Sequence, residues 1–159
     1  MQTFGRRTYG FEKFVGEVRG IAGDFRTAVA AFTAGDISPA FRERIMLAVT
    51  GENDCRYCAF AHSNLGRAAG LSQLQADMIL AGDFEQVPED ERPAVEFARR
   101  WAESDGEPGS DACQKLVDSY GAQKAAQVEM FCRLIRVGNL SGNTLDSMLF
   151  SLSKGKIGG

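Results

Sequence analysis

Histidine is nearly missing from this chain: one imidazole serves 159 residues, alongside a single tryptophan. A charge excess of one sign is missing too. Eighteen Lys and Arg against 21 Asp and Glu leave a net charge of −3, which gives no electrostatic reason to expect nucleic acid or an anionic membrane as partner. No apolar run approaches the ~20 residues of a membrane span. Arg6-Arg7 near the N-terminus is followed by a charged segment rather than an apolar stretch, so no export signal is read and the cytoplasm is the expected compartment. Runs of alternating β-branched residues are lacking, which removes the signal for strands. Four cysteines in a chain of this size are too few for a disulfide scaffold.

What is present is helical periodicity. Phe11, Phe14, Val15, Val18, Ile21 and Phe25 recur at helical spacing, with a break expected near Gly23 and a second short helix through Phe32. Ser38-Pro39 combines an N-cap hydroxyl with proline at the first helical position, and the helix it opens is expected to reach about Thr50. Gly51-Glu52-Asn53-Asp54 reads as a polar turn whose Asn53 or Asp54 caps a helix from about Cys55 to Ala69. Ser72-x-x-Gln75 is a capping box for a helix through Leu80. Pro88 with Glu89-Asp90-Glu91 is expected to open the next helix, which carries Trp101. A short helix from Ser110 to Gly121, a long one from Ala122 to Val137 and a last one from about Ser141 to Leu152 complete the chain, with a frayed tail from Lys154. The expected architecture is all-α, one domain over residues 1–159 with about seven or eight helices.

The chemistry concentrates in one segment. Cys55, Cys58 and the only histidine, His62, stand at helical spacing, so on a helix they point within about 60° of one another. Cys55 falls in the first turn of its helix, where free N–H groups and the dipole favour a thiolate. Neighbouring thiols spaced i, i+3 can join with modest adjustment. The pattern suits thiol redox chemistry: one thiolate attacks a peroxide, the other closes a disulfide, and an external thiol reduces it. Cys113 and Cys132 stand apart and read as structural.

Glu43, twelve residues before Cys55, together with Cys-x-Tyr-Cys-x3-His resembles the core of the AhpD-like alkylhydroperoxidases of the carboxymuconolactone decarboxylase superfamily. The resemblance is densest over residues 38–80 and extends weakly to Asn139-x3-Asn143. It implies an all-helical subunit that assembles as a homo-oligomer, a trimer or hexamer, and reduces hydroperoxides without a bound cofactor or metal. It also implies Cys58 as the peroxidatic thiol, Cys55 as the resolving thiol, Glu43 and His62 as a proton relay, and a lipoyl- or thioredoxin-type dithiol as reductant. Tyr57 stands where AhpD has histidine, and a phenol is a poor proton carrier near neutral pH; its reading is a hydrogen-bond donor near the site or a packing residue. Two other readings remain open at this point. One is a redox-sensing or zinc-stabilised helical interaction module on the same cysteines. The other is a lactone decarboxylase with Glu43 and His62 as acid and base.

Overall fold

The computed structural model describes residues 3–156 and 158. Among them the regular structure is all helical: α1 (Phe11–Gly23), α2 (Phe25–Thr33), α3 (Pro39–Asn53), α4 (Arg56–Ala68), α5 (Gln73–Leu80), α6 (Arg92–Glu103) and α7 (Ser110–Leu152). No helix among the described residues is long and apolar enough to cross a membrane. The break near Gly23, the Ser38 cap on Phe41 N–H and the reciprocal Ser72/Gln75 capping box all form as the sequence predicts. Gly121 interrupts α7 with φ 77°, ψ 160°, which separates the short helix from the long one.

Helix α3 is the axis of the molecule. From Glu43 to Thr50 every residue is buried, and the helix packs against α4, α5, α6 and α7. Ile45, Leu47 and Val49 meet a core that includes Val95 and Ala98 of α6 and Val128, Phe131 and Ile135 of α7. Burying such side chains contributes roughly 1.5–3 kcal/mol each. That explains a helix apolar on all sides in its second half.

Three boundaries differ from the sequence expectation. The polar turn after Thr50 is shorter: α3 continues to Asn53, and only Asp54 turns left-handed, at φ 51°. Asn53 is 2% exposed and hydrogen-bonds to α7, so tertiary contact extends the helix. The acidic run Glu89–Glu91 lies in a turn closed by the Glu91 N–H on Pro88 O, and α6 begins only at Arg92. Finally, α7 passes straight through Gly138-Asn139 instead of restarting at Ser141. Glycine there costs up to ~1 kcal/mol, but fully buried Asn139 and nearly buried Leu140 are held against the core and override it. Part of the tail expected to fray, Ile157 and Gly159, lies outside the described residues. Gly158 is buried, and its carbonyl accepts from Arg6 Nη2.

Candidate active site

Helix α4 starts at the cysteines. Neither Asn53 nor Asp54 caps it, as the sequence suggested. Cys55 is itself the N-cap, with extended backbone, and its sulfur accepts the Cys58 N–H at 3.4 Å. This places the Cys55 sulfur against the free N–H groups of the helix start, where negative charge is favoured. The Cys55 pKa falls to about 6. The largest cause is the hydrogen bond from the Cys58 thiol. Burial opposes it, and the backbone N–H groups of Cys58 and Tyr57 assist. Cys58 is pushed above the ordinary thiol range, first by that same hydrogen bond to Cys55 and then by burial, with Asn139 pulling the other way. Within the reduced pair, negative charge is therefore favoured on Cys55 and the proton on Cys58.

The two sulfurs differ in access. Cys55 is 1% exposed, whereas Cys58 is half-buried. Over them crosses α7, and it does so on glycines. A Cβ at the exposed Gly138 would lie 3.7 Å from the Cys58 sulfur, and one at Gly142 only 2.9 Å from the Cys55 sulfur. The α7 backbone thus crosses the site, with the exposed Gly138 beside the Cys58 sulfur.

Glu43 and His62 form the second pair. Glu43, 1% exposed on α3, meets His62 Nδ1 with one carboxylate oxygen at 2.7 Å and accepts Arg42 Nε on the other at 3.0 Å. Burial pushes this carboxyl up, but the His62 and Arg42 contacts outweigh it and hold the pKa below the ordinary value. An ionised Glu43 fixes a proton on His62 Nδ1 and leaves Nε2 free to exchange one. Arg44, the other flanking arginine, turns away to Glu91 at 2.7 Å. Gly66, one turn beyond His62, gives α4 its close approach to Glu43. Thus the structure brings together Cys55 with Cys58, and Glu43 with His62, and sets the pairs one turn apart along α4. Among the described residues, no three His, Cys, Asp or Glu side chains converge as ligands for one metal ion.

Tyr57 points to α7. Its hydroxyl donates to Asp146 Oδ1 at 2.7 Å, beside Arg56 at 2.6 Å, while Arg6 reaches the other oxygen at 3.0 Å. Asp146 is fully buried, and its pKa is lowered because these three donors outweigh its desolvation. Tyr57 therefore serves as a tie between α4 and α7. Sequence reading missed Asp146, Thr50, Asn53 and the role of Asn139. The signal was available as polar residues at 139, 143 and 146, which share one helical face.

A separate cavity of about 510 Å³ lies between α1, the α6–α7 loop and α7, with Glu17, Trp101 and Arg136 in its wall. It contains neither pair. Against known proteins, no curated protein and no solved structure gives a match. The model of the carboxymuconolactone decarboxylase family matches residues 21–104, a span that holds Glu43, both cysteines of α4 and His62. With that span covering more than half of its length, this chain belongs to the carboxymuconolactone decarboxylase family.

Proposed function

We propose that the protein is a thiol-dependent hydroperoxide reductase of this family. The observation that carries the reading is the dithiol itself: a buried Cys55 sulfur at a helix start, accepting the Cys58 N–H, beside a more accessible Cys58. A hydroperoxide enters beside Gly138 and meets Cys58. The Cys58 proton passes to Cys55 along their hydrogen bond. The Cys58 thiolate then attacks the outer peroxide oxygen, the O–O bond breaks, and the alkoxide leaves as the alcohol on taking a proton. His62 Nε2 supplies that proton directly or through water, with Glu43 fixing the ring. Cys55, losing its proton again, attacks the Cys58 sulfenic acid and releases water, leaving a Cys55–Cys58 disulfide. An external dithiol of lipoyl or thioredoxin type, in a reducing cytoplasm, returns both thiols. Sulfur is oxidised by two electrons and the peroxide is reduced by two.

Steady-state peroxide consumption with a dithiol donor tests this reading. Cys58→Ser and Cys55→Ser are each expected to lose turnover by at least ~100-fold. Full activity in Cys58→Ser contradicts the assignment. A lactone-decarboxylating activity that survives loss of both cysteines would place the protein in the other branch of the family, with Glu43 and His62 as its acid and base.

A further inference from the structure

We propose that the cavity between α1, the α6–α7 loop and α7 is a binding site for a neutral organic molecule that carries a hydrogen-bond acceptor, such as a ketone or an ester. The cavity holds neither the cysteines of α4 nor Glu43 and His62, so the inference stands apart from the peroxidase reading. Its volume of about 510 Å³ falls within the ~300–1,000 Å³ of small-molecule sites.

Helix α1 roofs this space without packing into it. Lys13, Gly16, Glu17 and Gly20 share one helical face and line the cavity. Glycine weakens a helix interior relative to alanine, and close packing demands neither glycine here. A Cβ at Gly16 would meet nothing within 4 Å among the described residues, and one at Gly20 only the end of the Arg133 side chain, at 3.7 Å. Ion pairs hold the helix at this distance. Lys13 bridges to Asp105 of the loop, and Glu17 to Arg136 of α7 at 3.1 Å.

The charges of the lining set the charge of the ligand. Arg136 is 4% exposed and donates to the Asp105 carbonyl at 2.8 Å, to the Asp105 carboxylate and to Glu17. The second Glu17 oxygen accepts the Tyr9 hydroxyl, and Arg133 pairs with Glu129. Glu107, the remaining charge in the wall, is exposed to water. An ionic ligand must break one of these pairs or enter with its charge unmatched, and either is costly. A neutral ligand does neither. What the wall leaves unmatched is a donor. Trp101 is 3% exposed, and its buried Nε1–H finds no acceptor among the described residues. The Arg136 guanidinium covers the indole face, 5.4 Å from its centroid. Gly106, at φ 93°, brings no side chain to the indole edge beside Nε1, where a Cβ would lie 3.4 Å from Cζ2. An acceptor on the ligand satisfies that donor.

Trp101 is the only tryptophan in the chain, so its fluorescence reads the cavity directly. Three cage molecules of one shape serve as probes: adamantanone, adamantane carboxylate and adamantylammonium. Adamantanone is expected to shift the emission saturably, with a midpoint in the millimolar range or below. The two ions are expected to bind at least ~tenfold more weakly, because each adds an unmatched charge. Calorimetry then follows adamantanone binding to two variants. Gly16→Leu fills the space with a better helix former and is expected to weaken binding by at least ~tenfold. Trp101→Phe keeps a ring but loses the donor, and is expected to weaken binding several-fold. Circular dichroism identifies variants that fold; if Trp101→Phe does not, Gly16→Leu decides. No saturable response to adamantanone overturns the proposal. So does an ion that binds as tightly as the ketone, or a folded Gly16→Leu that binds the ketone as the parent does.

Discussion

At the scale of single residues, the site is governed by where charge rests. Cys55 is a buried sulfur, and burial alone would keep it protonated. Its place as N-cap and the Cys58 hydrogen bond reverse that, down to about 6. The sign for stability follows. A depressed value means that the folded state favours the ionised form. The contribution is complete above the ordinary thiol value of 9.0 and is lost as pH falls through about 6. Thiolate absorbance near 240 nm in the reduced protein is therefore expected to titrate with a midpoint about 6 and to vanish in Cys55→Ser. A midpoint near the ordinary thiol range would show that the helix start does not hold the charge. The pairing of Glu43 with His62 was legible in the sequence only through the family resemblance, because arginines on both sides, Arg42 and Arg44, favour a solvated carboxylate. Burial of α3 and the separation of the two arginines, one onto Glu43 and one onto Glu91, resolve it.

At the scale of elements, the site exists because α4 and α7 touch. Sequence periodicity located α3, α4 and α5 to within a few residues, since their caps are local: Ser38 on Phe41, Ser72 with Gln75. It misplaced the end of α3 and broke α7 at Gly138, since those boundaries are set by Asn53 and Asn139 meeting across 86 residues of chain. A non-local hydrogen bond leaves no mark in a propensity pattern. The glycines of α7 make a paired prediction. At Gly138 an added Cβ reaches only ordinary contact, 3.7 Å from the Cys58 sulfur. Gly138→Ala is thus expected to leave stability unchanged or raise it by up to ~1 kcal/mol through helix propensity. At Gly142 the Cβ falls 2.9 Å from the Cys55 sulfur and 3.3 Å from Tyr57 Cδ2. Gly142→Ala must push α7 from α4 and is expected to cost about 1–3 kcal/mol. Urea unfolding of the two variants measures both; equal effects would mean that α7 does not press on the dithiol.

At the scale of the whole molecule, several large apolar side chains lie on the surface. Phe11, Phe25 and Phe32 of α1 and α2 are 82%, 66% and 55% exposed, and Phe60 of α4 with Leu145 and Met148 of α7 are 75%, 52% and 58% exposed. Helix α1, whose spacing reads as amphipathic, buries no residue fully. We infer that copies of the chain associate through these faces. Light scattering at micromolar concentration is expected to give a trimer or hexamer, and Phe11→Asp with Phe25→Asp to shift it toward smaller species. A monomer at that concentration contradicts the inference. None of this changes the central claim, which concerns two sulfurs within one subunit. Its most direct measurement is a thiol count with disulfide mapping, before and after one equivalent of hydroperoxide. The account predicts four free thiols falling to two, with a single intramolecular Cys55–Cys58 bridge and with Cys113 and Cys132 untouched. Four thiols remaining, or oxidation that falls first on Cys113 or Cys132, would contradict it.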